Sequence, residues 1–179
     1  MKVFNRLKFI CFCIVFTFVI SLFLSFGVSS NASTTPTVNS EAAILVDAKQ
    51  GKVLYEKNST KQLYPASTTK VMTAILTVEN CDLNAEVTVS YWAVNAVPYS
   101  YSLGYITPGE VYTVEELLNV TMIASANDAA YVLAEYIANL DNPDYVFETT
   151  QTSRDAFDSS IAEFSTMMNN KATEIGCTN

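Results

Sequence analysis

Ser67 and Lys70 lie three residues apart, and a serine and a lysine at this spacing can carry out acyl transfer. The chain contains no histidine, which excludes Ser-His-Asp and Cys-His catalysis and the usual histidine-containing zinc sites. A serine nucleophile in this chain therefore needs another base. A lysine can accept the serine proton when burial lowers its pKa, because desolvation disfavours the ammonium form.

A predicted helix from Ser67 to Glu79, which starts soon after Pro65, has to position this pair. The spacing puts Ser67 and Lys70 on one helix face, and free N–H groups at a helix start favour negative charge there. Apolar residues surround most of the helix, which predicts that it is buried in the middle of a domain. Alone, the spacing is a weak signal, since a serine N-cap followed by an exposed helix lysine also has it.

A second string, Ser125-Ala126-Asn127, lies between two predicted helices. The first helix runs from Thr113, which starts a capping box, to about Ile123. The second runs from Ala129 to Ala138, with Asn127 and Asp128 as its caps. At such a turn the Ser125 hydroxyl can relay a proton to a leaving amine, and the Asn127 amide can bind a peptide carbonyl. Ordinary capping is the alternative for both residues.

The remaining patterns predict a mixed α/β domain. Ala42–Asp47 and Lys52–Glu56 are short apolar runs separated by a glycine-containing turn, which predicts a β-hairpin. Glu86–Ser90 alternates and predicts a short strand, while residues 98–109 predict an irregular loop. Arg154–Ile175 is amphipathic and predicts a helix whose phenylalanine and methionine face belongs to the core.

Residues 1–32 predict a secretory signal peptide or an uncleaved membrane anchor. Basic residues precede Phe9, an uncharged apolar run continues to Val28, and small residues follow at the positions that a signal peptidase recognises. In either case the rest of the chain lies outside the cytoplasm, and the N-terminal segment provides a membrane association. Residues 33–40 are rich in serine, threonine and asparagine and predict a linker.

Charge and cysteine content narrow the function classes. The formal charge of −8 makes the surface repel nucleic acid and anionic lipid, so nucleic-acid binding is excluded. Beyond the apolar N-terminal run only Cys81 and Cys177 remain, which is too few for a disulfide framework. One bridge between them is the alternative, but we expect two free thiols.

Four strings in this order resemble the low-molecular-weight penicillin-binding proteins, and more narrowly the D-alanyl-D-alanine carboxypeptidases of the S11 serine peptidase family. They are the A-A-I-L-V-D…G-K-V-L-Y-E hairpin, P-A-S-T-T-K, S-A-N-D-A-A and the final N-K-A-T-E-I-G-C-T-N. The resemblance covers residues 41–179. It implies an α/β (α+β) domain like those of β-lactamases and transpeptidases, with a helical lobe around a buried central helix and a partial antiparallel sheet.

The resemblance also implies a role for each motif residue. Ser67 is the nucleophile that forms an acyl-enzyme, and Lys70 is its general base. Ser125 is the proton relay, and Asn127 positions the substrate. The implied reaction removes the terminal D-alanine from a peptidoglycan stem peptide. The implied inhibitors are β-lactam antibiotics that acylate the same serine, and no metal or organic cofactor is implied.

One departure from the family pattern leaves alternatives open. These enzymes pair Ser-x-x-Lys and Ser-x-Asn with Lys-Thr-Gly, which this chain does not contain. We therefore expect residues 41–179 to be the N-terminal part of the domain, truncated before the third motif. One alternative is a class A β-lactamase-like hydrolase, although those enzymes usually have Ser-Asp-Asn where this chain has Ser125-Ala126-Asn127. The other is a truncated, non-catalytic cell-wall-binding protein.

Overall fold

A computed structural model describes residues 37–152 and 154–177 of the chain. The predicted signal or anchor, residues 1–32, lies outside the described residues, as do residues 33–36 of the predicted linker, and both stay predictions. Within the described ranges, no helix combines the length and the apolar character that crossing a membrane requires. The described chain divides into two compact units, one ending at Ser59 and the other starting at Thr60.

The first unit contains the predicted β-hairpin. Strands β1 (Ala43–Val46) and β2 (Val53–Lys57) pair antiparallel, and the register shifts between Leu45 and Val46. The Asp47 side chain accepts hydrogen bonds from two backbone N–H groups of the turn, and Gly51 closes the turn with a φ of 65°. Glycine adopts this left-handed conformation without the steric cost that other residues have.

The second unit consists of helices and a small antiparallel sheet. A 3-10 turn (Ala66–Thr69) leads directly into α1 (Lys70–Asn80). The elements that follow are β3 (Glu86–Thr88), α2 (Tyr91–Asn95), β4 (Val111–Thr113), α3 (Val114–Ile123), α4 (Asn127–Ala138) and α5 (Arg154–Glu174). Strands β3 and β4 pair antiparallel. This mixture of helices and short antiparallel sheets is the α/β class that the sequence predicts.

Helix α4 is the central element of the second unit. It packs against α1, α2, α3 and α5. Val132 and Leu133 are completely buried, and Ala129 is as well. Small alanine side chains along α4 let the neighbouring helices approach closely. The core continues into the sheet and the surrounding helices through Val87, Val114, Leu117 and Phe157.

Helix α1 is buried on one face only. Thr73, Leu76 and Thr77 are buried, and the helix packs against α3, α4 and α5. Val71 is 51% exposed and Val78 59% exposed, so the prediction that this helix is buried in the middle of a domain is wrong at these two positions. Apolar residues around a whole helix indicate that it can be buried on every face, but they do not specify which faces its neighbours cover.

The predicted N-cap is confirmed for helix α3 but not for helix α4. Thr113 Oγ1 accepts from the Glu116 N–H while Glu116 accepts from the Thr113 N–H, which confirms the capping box. The predicted caps of α4 are wrong, because α4 begins at Asn127 and its N-cap, Ala126, has no side-chain hydrogen bond. The side chains of Asn127 and Asp128 are used in contacts with a neighbouring loop instead.

Both cysteines of the described chain are free thiols, as expected. Cys177 is exposed, while Cys81 is half-buried at the end of α1. Burial raises the pKa of Cys81 to about 11, because it disfavours the thiolate. A thiol with such a pKa is a weak nucleophile at neutral pH.

Candidate active site

A cleft of about 570 Å³ opens at the start of α1. The 3-10 turn and α1 contribute Ser67 and Lys70, α4 contributes Asn127, and the loop before β4 contributes Tyr101 and Ser102. The far wall belongs to α5 and includes Ile161, Phe164, Ser165 and Met168. The cleft therefore joins a polar end, at the motif residues, to an apolar end.

Ser67 and Ser125 meet at the polar end. Ser125 Oγ donates a hydrogen bond of 2.9 Å to Ser67 Oγ. Ser67 lies in the 3-10 turn and the α-helix begins only at Lys70, so the prediction that the α-helix begins at Ser67 is wrong by three residues. The turn still presents the exposed Ser67 hydroxyl at the N-terminal end of α1, where the helix dipole favours negative charge.

The backbone is strained on both sides of this hydrogen bond. Ser125 has a φ of 55° and Ala66, which directly precedes Ser67, has a φ of 48°. Residues with a Cβ rarely adopt this left-handed region, which costs about 1–2 kcal/mol. Such strain persists where the surrounding structure enforces it, and it clusters at functional sites. Here it aims two hydroxyl groups at each other.

Lys70 is buried in the floor of the cleft. The residue is only 8% exposed, and Nζ donates a hydrogen bond of 2.9 Å to Asn127 Oδ1. Burial lowers the Lys70 pKa, because desolvation disfavours the ammonium form. The lysine therefore does not point into bulk water, and the lowered pKa favours its neutral form, which is the form that can accept a proton.

The Asn127 amide is fixed from the opposite side. Its Nδ2 and its backbone N–H both donate to the Ser102 carbonyl oxygen, each at 2.9 Å. With Nδ2 occupied by Ser102, Oδ1 is the atom that faces Lys70. The orientation of this amide is therefore set by a loop that lies 25 residues earlier in the chain.

The four residues singled out in the sequence thus come together in two hydrogen-bonded pairs. The pairs are Ser67 with Ser125 and Lys70 with Asn127. The sequence did not indicate Ser102, because its contribution is a backbone carbonyl that any residue carries. It also assigned the Met168 face of α5 to the core. Phe164 is buried at 4% exposure, as predicted, but both residues also line the cleft.

Metal-binding side chains are not clustered in the described ranges. There, no group of three or more His, Cys, Asp or Glu residues could hold a metal ion. The absence of a cofactor stays a prediction.

Comparison with known families places these motifs in context. Residues 29–146 match the sequence profile of Peptidase_S11, D-alanyl-D-alanine carboxypeptidase. The chain belongs to this family. The matched region includes all four motif residues, so Ser67, Lys70, Ser125 and Asn127 lie within the family domain.

Curated relatives named D-alanyl-D-alanine carboxypeptidase show the same relationship. The chain is 36% identical over 143 residues to D-alanyl-D-alanine carboxypeptidase DacF of Bacillus subtilis, covering 78% of this chain and 31% of DacF. It is 38% identical over 111 residues to DacC of Escherichia coli, covering 58% of this chain and 28% of DacC. The chain therefore spans about a third of the length of these relatives.

Solved structures of a DD-transpeptidase and of a D-alanyl-D-alanine carboxypeptidase share the fold. The Streptomyces K15 DD-transpeptidase superposes with a TM-score of 0.67 at 30% identity, covering 82% of this chain and 52% of that chain. D-alanyl-D-alanine carboxypeptidase DacD of Francisella tularensis superposes with a TM-score of 0.62 at 28% identity, covering 80% of this chain and 30% of that chain. The predicted transpeptidase-like fold is confirmed.

Proposed function

We propose that the whole protein is a serine-type D-alanyl-D-alanine carboxypeptidase that removes the terminal D-alanine from peptidoglycan stem peptides. The observation that carries this proposal is that Ser67, Lys70 and Asn127 line the same cleft, with Lys70 donating to Asn127 and Ser125 donating to Ser67, each at 2.9 Å. The S11 membership of the chain supports the substrate class.

The proposed nucleophile is Ser67. Its Oγ attacks the carbonyl carbon of the penultimate D-alanine, and the peptide bond to the terminal D-alanine breaks after a tetrahedral intermediate forms. The product of this step is an ester between the shortened stem peptide and Ser67, with D-alanine released as the free amine. Water then hydrolyses the ester and regenerates the serine hydroxyl. A β-lactam would acylate the same oxygen by opening its ring.

Lys70 and Ser125 are the proposed proton carriers. Neutral Lys70 takes the proton that Ser67 loses, and its lowered pKa makes the neutral form accessible. Ser125 donates a hydrogen bond to Ser67 Oγ, which stabilises negative charge that develops on this oxygen. The same hydroxyl can then deliver a proton to the leaving amine and be reprotonated by Lys70, which holds the proton that Ser67 lost. The helix dipole of α1 adds to the stabilisation.

Asn127 is the proposed substrate-positioning residue. Its amide stands at the cleft wall, with one end held by Ser102 and the other by Lys70. In this position the amide can orient a peptide carbonyl of the stem peptide while it keeps Lys70 in the floor of the cleft. We therefore propose that Asn127 affects both the orientation of the bound stem peptide and the position of the general base Lys70.

The location of the protein follows from the substrate and from the N-terminus. Peptidoglycan lies outside the cytoplasmic membrane, and residues 1–32 have the charge and apolar pattern of a secretory signal or anchor. We therefore propose that the protein acts on the outer face of the membrane, either secreted or tethered by this segment. A shift to lower mass on export, by the mass of about residues 1–32, would identify a cleaved signal.

Labelling with a fluorescent penicillin tests the catalytic proposal on the full-length protein. Wild type is expected to form a covalent adduct at Ser67, and Ser67→Ala is expected to form none. Ser165→Ala is the matched control, because Ser165 lines the same cleft but its hydroxyl donates to the Ile161 carbonyl within α5. Release of D-alanine from a peptide ending in D-Ala-D-Ala should follow the same pattern.

Two outcomes would contradict the carboxypeptidase. Rapid turnover of penicillin, without a long-lived adduct, would favour a β-lactamase-like hydrolase. An absence of Ser67-dependent labelling in the full-length protein would favour a non-catalytic wall-binding protein.

A further inference from the structure

Two adjacent residues at the start of α4 hold one loop. Asn127 donates twice to the Ser102 carbonyl, and Asp128 Oδ1 accepts a hydrogen bond of 2.8 Å from the Gly104 N–H. The two anchor points are only two residues apart in the loop. Asn127 is a motif residue of the proposed active site, but Asp128 has no part in the proton transfers proposed above.

Gly104 fits against the helices because it has no side chain. A Cβ at this position would lie 2.6 Å from Val120 Cγ1, 3.4 Å from Ala126 Cβ and 3.4 Å from Asp128 Oδ1. The first of these distances is far shorter than van der Waals contact, so a larger residue would force the loop or the Val120 side chain to shift. The close approach of Gly104 is what brings its N–H within reach of Asp128.

Asp128 is a costly residue for a purely structural role. It is only 1% exposed, and Oδ1 accepts from both the Gly104 and the Ala129 N–H groups. Oδ2 is buried and, among the described residues, has no hydrogen-bond partner. A buried polar atom without a partner destabilises the folded state. The buried Oδ2 thus lowers the stability of the folded state, while Oδ1 supplies an acceptor for the loop.

We propose that Asp128 is a positioning residue. By accepting a hydrogen bond from the Gly104 N–H, it holds in place the loop whose Ser102 carbonyl fixes the Asn127 amide. Asp128 thereby determines the orientation of the amide that accepts the hydrogen bond of Lys70. This inference rests on the proposed function, because the positioned amide matters through Lys70 and the bound peptide. Asp128 itself contacts neither Ser67 nor Lys70 in any hydrogen bond of the described chain.

Three variants of the full-length protein separate an effect on the position of the Asn127 amide from a loss of folding stability. They are Asp128→Ala, Asp128→Asn and Val132→Ala. Val132 is completely buried on the same helix and does not line the cleft, so Val132→Ala is the matched destabilised control. The first readout is the rate constant for penicillin acylation per folded molecule. Asp128→Ala is expected to slow acylation about 10–100-fold, the effect of a small displacement of catalytic groups. Asp128→Asn keeps an acceptor oxygen and should restore most of the rate, and Val132→Ala should acylate like wild type.

A second variant pair tests the loop without changing Asp128. Gly104→Ala should slow acylation as Asp128→Ala does, because the new Cβ collides with Val120. Adding Val120→Ala removes the colliding Cγ1 and should recover part of the rate.

The second readout does not depend on activity. The side-chain amide resonance of Asn127 should shift in Asp128→Ala and in Gly104→Ala, but not in Val132→Ala. The proposal is overturned if Asp128→Ala acylates as fast as Val132→Ala, or if the Asn127 resonance stays in place. If wild type forms no Ser67 adduct, the proposed function fails, and the resonance alone then decides whether Asp128 positions the amide.

Discussion

Ser125 Oγ donates a hydrogen bond of 2.9 Å to Ser67 Oγ, although the two residues are 58 positions apart in the chain. Ser125 reaches this position from a backbone with a φ of 55°, in the turn between α3 and α4. The contact thus combines a long-range approach of two elements with local strain, and the two contributions can be separated by mutation.

We expect Ser125→Ala and Ser125→Gly to slow acylation of Ser67 equally, because both remove the hydroxyl. Their stabilities should differ. Alanine keeps the steric cost of a positive φ, whereas glycine does not, so the glycine variant should be about 1 kcal/mol more stable than the alanine variant. Urea unfolding measures the difference, and penicillin labelling measures the rate. Unequal rates would mean that the backbone of Ser125, and not only its hydroxyl, affects the reaction.

Lys70→Arg should lower the acylation rate by at least about 100-fold, because an arginine cannot give up its proton to act as a base. In wild type the rate should fall as the pH drops through the Lys70 pKa, which burial lowers from the ordinary lysine value. Rate constants measured across a pH series test this. A wild-type rate that does not change with pH on the acid side would contradict a role for neutral Lys70.

The same pKa shift predicts how stability depends on pH. Between the lowered pKa of folded Lys70 and the higher value in the unfolded chain, the folded state has lost the proton and the unfolded state has kept it. Stability contributed by this group therefore rises with pH across that window. The difference in unfolding free energy between wild type and Lys70→Arg should show this rise, because the arginine stays charged in both states.

Glu135 should contribute stability that falls as pH rises, opposite to the contribution of Lys70, and Glu135→Gln should remove this dependence. Glu135 is 2% exposed and accepts from Ser90 Oγ and from the Tyr145 hydroxyl at 2.7 Å. Burial raises its pKa, so the folded state binds more protons than the unfolded state above the ordinary glutamate pKa. The stability from this group is complete below the unfolded pKa and is lost as pH rises through the folded pKa. Urea unfolding from pH 4 upward should show this loss in wild type and not in Glu135→Gln.

Thr113→Ala should cost about 1 kcal/mol, the typical value of an N-cap side chain. The Thr113 hydroxyl accepts the Glu116 N–H at the start of α3, and alanine leaves this N–H without its partner. Thr113→Ser keeps the hydroxyl and is the control, with an expected stability close to wild type. A serine variant as unstable as the alanine variant would indicate that the threonine methyl group, and not the cap, is responsible.

Much of this protein is determined by local sequence patterns. The Ala43–Lys57 hairpin, the Thr113 capping box and the amphipathic Arg154–Glu174 helix depend on residues close together in the chain, so periodicity and turn residues predict them. The Ser67–Lys70 spacing likewise marks the site, since residues within one turn stay neighbours in any helical fold.

Tertiary structure alone decided how the site is held. Three features depend on segments that are far apart in the chain. They are the burial of Lys70, the hydrogen bond from Asn127 to the Ser102 carbonyl, and the hydrogen bond from the Gly104 N–H to Asp128. It also decided that α1 leaves Val71 and Val78 exposed. Helical periodicity specifies which residues share a face, but only the packing of other elements determines which face is covered and which backbone group lies opposite a side chain.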